Sequence, residues 1–189
     1  MNANVGMQYL VAAAVATYTP GTSITYSTGS NFAEAVGATL NWERASGSFY
    51  GDDAELDSDN GVLGYTIDLE PSGLSDAARG LLLGETVATN EYTITDAASP
   101  DVGFGFVRVM RDKGTTKYEA WWFYKVKFGV NSEETHTKER SIEWRTPNLQ
   151  GVGAGVSLDS TGTLNFAQHK TFDDLASAKS YLNSKASIS

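Results

Sequence analysis

Residues 102–147 contain three strand-length runs separated by polar turns, and this block constrains the fold more than any other part of the chain. In the middle run, apolar residues mostly occupy even positions and charged residues occupy odd ones. Side chains of a strand alternate between the two faces of a sheet, so this period of two predicts a strand with one buried face. The buried side would contain Tyr118, Ala120, Trp122, Tyr124, Val126 and Phe128.

The other two runs flank this strand and are joined to it by short polar segments. Ile142, Trp144 and Thr146 share one parity in the third run, which repeats the alternation of the second. Between the first two runs, Lys113 and Gly114 supply a turn, and Gly114 can adopt the positive φ that tight hairpins require. The block therefore predicts an antiparallel meander.

The composition is that of a folded globular protein. The 189 residues are 41% hydrophobic and 20% charged, and we expect a single domain spanning residues 1–189. The chain has no cysteine, which excludes disulfides, thiolate zinc sites and cysteine nucleophiles. A formal net charge of −9 argues against binding to a nucleic-acid backbone, because phosphate binding depends on Lys and Arg. The apolar stretch at residues 9–16 is too short to span a bilayer and follows no basic segment, so we expect neither a signal peptide nor a membrane anchor.

Segments on both sides of the block predict a long loop and two helices. Residues 45–60 carry five acids and no basic residue, and we expect a long exposed loop there. Ser75 is placed to cap a short helix that ends at Gly84. Thr171 and Asp174 resemble a capping box, which predicts a C-terminal helix over residues 171–184. The predicted fold is mainly β, an antiparallel β-sandwich or barrel-forming sheet with one short flanking helix and a C-terminal helix.

Candidate catalytic and metal-binding residues are few. A calcium-binding EF-hand frame starting at Asp53 has Ser58 where glycine is needed and Gly64 where glutamate is needed, so the spacing does not fit. His136 and His169 lie outside any metal-ligand motif and are expected at the surface, and no serine lies in a GxSxG elbow. We therefore expect no catalytic, cofactor-binding or metal-binding residues and no enzymatic activity.

The aromatic strip of the middle run has large aromatic residues on both parities, so we expect both of its faces to be covered. Trp122 shares the apolar parity and is expected in the core, whereas Trp121 and Phe123 lie on the charged parity and need a second surface to cover them. That surface is either another subunit or, in a carbohydrate-binding module, a sugar ring. Gly103 and Gly105 lack the context of a phosphate loop and are expected to let aromatic side chains of a neighbouring strand pack over bare backbone.

Three sequence strings resemble the major tail proteins, or tail tube proteins, of long-tailed siphophages. Residues 61–85 read GVLGYTIDLEPSGLSDAARGLLLGE and are similar to the strand, turn and short-helix signature of that family. Two further strings are similar to the central strands of that family. They are VGFGFVRVMRDKGTTKYEAWWFYKVKF at residues 102–128 and SIEWRTPNLQG at residues 141–151. The resemblance covers about residues 60–151 and, more loosely, the N-terminal strands and the acidic loop, whereas the segment beyond residue 155 is less recognisable.

The resemblance implies a structural subunit that assembles into hexameric rings, which stack into the hollow tail tube of the virion. Strands from each subunit would form a continuous inner barrel, and DNA would pass through it without specific binding during ejection into the host. Assembly would take place in the host cytoplasm, with the tape measure, tail terminator and distal tail proteins as further partners. A related distal-tail or secretion-tube protein, and the carbohydrate-binding module, stay open as alternatives.

The resemblance also implies that the loop at residues 45–60 reaches a neighbouring subunit. The resulting candidates for inter-subunit contact are Phe49, Tyr50, Asp52, Asp53, Glu55, Asp57, Asp59, Trp121 and Phe123.

Overall fold

The structure, a computed structural model, describes residues 3–51, 54–88, 91–132 and 146–188. Most of these residues lie in antiparallel strands with two short helices beside them, which confirms the predicted fold class. The elements in chain order are β1 (Ala3–Thr19), β2 (Ser23–Tyr26), β3 (Ser30–Ala33), β4 (Ala35–Arg44), β5 (Gly47–Gly51), β6 (Ala54–Asp59), β7 (Val62–Pro71), α1 (Asp76–Leu83), β8 (Thr86–Ala88), β9 (Glu91–Thr93), β10 (Val102–Asp112), β11 (Thr115–Ser132), β12 (Asn148–Gly153), β13 (Val156–Ser157), β14 (Leu164–Asn165), β15 (Ala167–Phe172) and α2 (Leu175–Lys185).

The main sheet closes on itself to form a barrel. Its strand order is β2-β1-β10-β11-β12-β7-β4, with every neighbouring pair antiparallel. Closure comes from β3 and β4, which are interrupted only at Glu34. Before this kink, Ala33 pairs with Leu10 of β1, and after it Ala35 pairs with Pro71 of β7. One kinked segment therefore joins the two sides of the sheet.

The long strand β11 organises the barrel wall. It forms the predicted hairpin with β10, and the connecting turn places Lys113 at φ 47° and Gly114 at φ 90°. On its other edge, β11 pairs first with β15 and then with β12. The third predicted run of the meander, with Ile142 and Trp144, lies outside the described residues.

A β-bulge in β11 corrects the predicted face assignment. Val102 pairs with Val126 and Phe104 pairs with Phe123, so three residue steps on β11 oppose two on β10. The extra residue reverses the alternation at Tyr124 and Lys125, because one inserted residue moves every later side chain to the opposite face. Val126 therefore faces the barrel interior together with Phe123, whereas the even residues before the bulge face outward.

Two apolar cores result, one on each face of β11. The interior core contains Leu10, Phe32, Tyr65, Ile67, Leu69, Phe104, Phe106, Phe123, Val126, Phe128 and Leu149, with Ala78 and Leu82 of α1. The outer core lies beneath α2 and contains Val11, Ala13, Val107, Ala120, Trp122, Ala178, Leu182 and Ala186. Trp122 is fully buried, which confirms its predicted place in the core.

Close packing at bare backbone explains the glycines of β10 and β12. A Cβ on Gly103 would collide with the rings of Trp122 and Tyr26, which confirms the interpretation of that glycine as a packing position. A Cβ on Gly153 would likewise collide with the ring of Tyr65. Each glycine thus lets an aromatic ring lie directly against the sheet.

Both helices begin at the polar caps that the sequence supplies. Ser75 caps α1 by accepting a hydrogen bond from the backbone N–H of Ala78, and Gly84 ends the helix at φ 71°, as predicted. The predicted start of the C-terminal helix is too early. Thr171 belongs to β15, and Asp174 is the N-cap, accepting from the backbone N–H of Ser177. Pairing of β15 with β11 holds residues 167–172 in an extended conformation.

The acidic segment predicted as a loop is a β-hairpin, which we call the arm (residues 47–59). In it β5 pairs with β6, Gly47 opposite Asp59 and Phe49 opposite Asp57. The arm extends the β4–β7 ladder, because Arg44 pairs with Val62 and the backbone N–H of Ala45 donates to the carbonyl of Gly61 at 2.8 Å. The acidic sequence is therefore regularly paired backbone that continues from the β4–β7 ladder, rather than an irregular loop.

Replacing Trp122 with alanine should lower the free energy of unfolding by about 3–5 kcal/mol, because a fully buried indole would leave a cavity beneath α2. Chemical denaturation measures this change. Leu63→Ala is the control, since Leu63 is 66% exposed. A loss for Trp122→Ala no larger than that of the control would show that the indole does not support the core.

Candidate functional site

Four side chains converge on the inner face of the barrel wall, near the turn between β10 and β11. We call Arg108, Glu119, Trp121 and His169 the rim cluster. Strand register brings them together, because Arg108 pairs with Glu119 and Trp121 pairs with His169. The adjacent strands β10, β11 and β15 thus each contribute at least one side chain to the rim cluster.

Glu119 is the centre of the rim cluster, and its side chain is only 8% exposed. Its Oε2 accepts hydrogen bonds from Nε of Arg108 and from the indole N–H of Trp121, both at 2.8 Å. Nη2 of Arg108 also donates to this oxygen. Oε1 lies 2.9 Å from Nδ1 of His169. Both carboxylate oxygens are therefore engaged, as a buried charge requires.

Ring stacking holds the other members of the rim cluster around Trp121. The imidazole of His169 stacks on the indole with ring centroids 4.6 Å apart and an interplanar angle of 17°. The guanidinium carbon of Arg108 lies 5.1 Å from the same ring. The side chain of His169 is 54% exposed, which agrees with the surface position expected for it, but its two partners were not foreseen.

An apolar groove opens beside the rim cluster, where the barrel wall is split between β1 and β4. This edge groove has a volume of about 450 Å³ and is lined by Asn4, Met7, Ala38, Thr39, Leu40, Trp42, Ile67, Phe106, Arg108 and Trp121. β1 before Leu10 pairs only with β10, and β4 pairs only with β7, among the described strands. One backbone edge of each strand therefore borders the groove without a partner strand.

The outer face of β4, β7 and β12 is largely exposed among the described residues. On the strands β4, β7 and β12, the residues that alternate with the interior core form an outer sheet face: Thr39, Asn41, Thr66, Asp68, Glu70, Gln150 and Val152. Gln150 donates from Nε2 to Asp68 at 3.2 Å, and Val152 is 58% exposed. α2 packs on β1, β10, β11 and β15 instead. Asp68 and Glu70 are the acids of this outer sheet face, and Lys127 of β11, the cross-strand partner of Val152, lies on the same side.

The structure separates the candidate contact residues into three groups. Phe123 is fully buried in the interior core, so the expectation that another subunit covers it is wrong: the curled sheet of its own chain does so. Trp121 is partly buried and lines the edge groove. The side chains of the remaining candidates, Phe49, Tyr50, Asp52, Asp53, Glu55, Asp57 and Asp59, lie outside the part of the chain that the structure describes.

The sequence contained a signal for the central pair of the rim cluster. A two-residue turn at Lys113 and Gly114 sets the hairpin register, and that register places Arg108 opposite Glu119. Alternation instead assigned Glu119 to a solvated face. Its burial depends on sheet closure and on β15, which supplies His169 from a distant part of the chain.

The chemistry of the rim cluster is that of a structural ion pair beside a binding groove. Among the described residues, no group of three or more histidines and acids is placed to hold a metal ion. In the same part of the chain, no helix combines the length and the apolar character needed to cross a membrane.

A scan of protein-family models found no match to the chain, and a search of curated proteins found none either.

The partly buried Tyr26 and the buried Tyr65 stabilise the bulge in β11. The hydroxyl of Tyr26 donates to the carbonyl of Tyr124 at 2.8 Å on the outer side, and that of Tyr65 donates to the carbonyl of Lys125 at 3.2 Å from the interior. Burial raises the pKa of both tyrosine hydroxyls, because the charged phenolate would lose its hydration. Both hydroxyls therefore stay protonated as donors throughout the neutral range.

Tyr26→Phe should reduce the free energy of unfolding by about 1–3 kcal/mol. The substitution removes the bond to the Tyr124 carbonyl and the oxygen that lies 3.4 Å from the indole nitrogen of the buried Trp122. Thermal and urea unfolding provide the measurement. Tyr124→Phe is the matched control, since among the described residues its hydroxyl bonds only to Gln168 at the surface. Equal stabilities for the two variants would contradict the role assigned to Tyr26.

Proposed function

We propose that this chain is the subunit of a siphophage tail tube, a non-enzymatic protein that self-assembles into stacked hexameric rings. The observation that carries the proposal is the arm, a self-paired acidic hairpin that extends the β4–β7 ladder outside a closed barrel. An extension of this kind contributes little to the core of its own chain and is suited to contacts with another copy. The sequence resemblance at residues 61–85 and 102–128 points to the same function.

Unpaired strand edges support assembly through copies of the chain. Among the described strands, the edges of β1 and β4 beside the edge groove have no partner strand. In a monomer such edges promote uncontrolled aggregation, whereas closed ring symmetry occupies them in a defined way. We propose that ring formation uses this pairing capacity.

The outer sheet face supports a DNA conduit. It is uncovered and carries Asp68 and Glu70 among neutral polar side chains. Negative charge on a lumen wall repels phosphates, so DNA would slide past without binding. With a net charge of −9 per chain, a ring of several copies would be strongly acidic. We propose that this face lines the lumen.

The structure removes the main support for a carbohydrate-binding module. That reading required an exposed aromatic platform in the strip of β11. Trp122 and Phe123 are fully buried, and Trp121 is stacked between His169 and the core. The strip therefore offers no flat exposed surface for a sugar ring, and the tube subunit is the better-supported function.

Purified chain at high concentration should form rings or tubes that are visible by negative-stain electron microscopy. Backbone pairing at unpaired edges and burial of apolar surface both favour association as concentration rises. Analytical ultracentrifugation of the same sample gives the mass of the smallest closed species. A chain that stays monomeric at all concentrations and binds polysaccharide would overturn the tube function.

Deleting residues 51–59 should leave the fold intact and impair polymerisation, because the apolar cores among the described residues are built from the barrel strands and the two helices. Circular dichroism and thermal unfolding test the fold, and tube yield in micrographs tests assembly. Wild-type tube yield from the deleted chain would refute the assignment of the arm to inter-subunit contact.

A further inference from the structure

We propose that Lys185 is a site of covalent acylation and that the cleft beside it receives the acyl donor. The donor class is a small activated acyl compound, such as an acyl phosphate. The site lies at the C-terminal end of α2, on the outer side of the barrel, and is independent of the proposed tube assembly. Three properties support the assignment: the cleft, the neutral partners of the amine, and the ion pairs that occupy other lysines.

A cleft with a volume of about 480 Å³ lies between β2 and the C-terminal end of α2, and we call it the helix cleft. Its wall includes Tyr124 of β11 and Leu158, together with serine and threonine residues on both sides. Lys185 is the single charged residue among the described residues that line it. The volume is in the range of small-molecule sites, and hydroxyl groups can donate to the oxygens of a donor. The helix cleft therefore gives a small acyl donor access to one amine.

Lys185 is held in place by neutral groups. Its Nζ donates to Oε1 of Gln168 at 3.0 Å and lies 5.5 Å from the centroid of the Tyr181 ring. The hydroxyl of Tyr124 donates to the same Gln168 oxygen at 3.1 Å. No carboxylate forms an ion pair with Nζ among the described residues. Because an amide oxygen accepts from a neutral amine as well as from an ammonium group, deprotonation leaves the side chain in position with a free lone pair.

The surroundings of this amine favour its neutral form. Partial burial lowers the pKa of Lys185, because loss of hydration disfavours the charged form. The titratable groups beside it are Tyr124, Tyr181 and Lys170, whose Nζ lies 6.0 Å from the centroid of the same Tyr181 ring. Burial raises the pKa of both tyrosines, so their hydroxyls are neutral near neutral pH. None of these groups supplies negative charge, and the neutral amine is the nucleophile in acyl transfer.

Three other lysines would lose an ion pair on acylation. Lys117 pairs with Asp173, and Lys125 and Lys127 both pair with Asp101, at 3.3 and 3.9 Å. An acyl group removes the positive charge of a lysine, so each of these pairs would be broken. An amine without an ion pair is therefore the easier one to acylate.

Acylation of Lys185 needs no oxidant, reductant or further cofactor. With acetyl phosphate as the donor, Nζ of the neutral side chain attacks the acetyl carbonyl carbon. A C–N bond forms, and the bond from that carbon to the phosphate oxygen breaks, with its electron pair going to the phosphate. The proton that the nitrogen loses passes to the phosphate. The products are an acetylated lysine and hydrogen phosphate.

Limited treatment of the intact chain with acetyl phosphate tests the site, and peptide mass spectrometry gives the acetylation rate at each lysine. Lys170 is the internal reference, because it is exposed, has its Nζ over the same Tyr181 ring and does not line the helix cleft. We expect Lys185 to be acetylated several-fold faster than Lys170 at mildly alkaline pH. Equal rates, or a faster rate at Lys170, would overturn the site.

Variants test the neutral acceptor and the cleft separately, with circular dichroism as the check that each is folded. Gln168→Glu puts a carboxylate beside Nζ and should slow acetylation of Lys185 several-fold. Asn41→Glu adds the same charge at an exposed position of β4 and should leave that rate unchanged. Equal effects of these two changes would overturn the role of the neutral acceptor. Ser23→Trp narrows the helix cleft and should slow Lys185 relative to Lys170, whereas an unchanged ratio would overturn the cleft as the place where the donor binds.

Discussion

One inserted residue in β11 is the constraint on which the rest of the structure depends. At Tyr124 and Lys125 the strand changes the face to which its side chains point, so both of its faces can hold aromatic cores. The carbonyls freed from the β10 ladder accept hydrogen bonds from the hydroxyls of Tyr26 and Tyr65. The Lys125 carbonyl also accepts from the backbone N–H of Ala154 at 3.2 Å, so both carbonyls of the bulge are paired, whereas a buried carbonyl without a partner would cost about 1–3 kcal/mol. The bulge also coincides with the place where β11 exchanges β15 for β12.

Packing and electrostatics at the rim follow from the same strand. Before the bulge, the inner face of β11 presents Glu119 and Trp121, and closure of the barrel buries the carboxylate against Arg108 and His169. The ion pair binds three strands together at the end of the barrel where the wall is split. The ion pair also fixes the position of the Arg108 guanidinium at the edge groove, because the planar guanidinium donates to Glu119 through two of its nitrogens. A structural ion pair thereby shapes one side of the edge groove.

Local signals in the sequence predicted helix ends and the hairpin turn. The faces and burial of strand residues depend on long-range pairing and could not be predicted in the same way. The caps at Ser75 and Gly84 and the turn at Lys113 and Gly114 act through adjacent backbone, so they could be identified directly. The bulge could not, since alternation alone contains no sign of the carbonyl partners that stabilise it. For the same reason Phe123 was expected to need a partner subunit, although the curled sheet covers it. Burial of Glu119 was missed because β15 lies about fifty residues away in sequence and supplies His169.

The kink at Glu34 determines where the barrel wall closes and where it stays open. Because β3 pairs with β1 over only a few residues before the chain turns toward β7, the wall closes at one end and stays open at the other. A straight strand would either seal the wall, which would remove the edge groove, or leave β7 without its neighbour, which would expose the interior core. The backbone of Glu34 is held by Ser72, which accepts and donates one hydrogen bond each, immediately after β7. Barrel closure and the edges of β1 and β4 that have no partner strand among the described residues therefore come from one local bend.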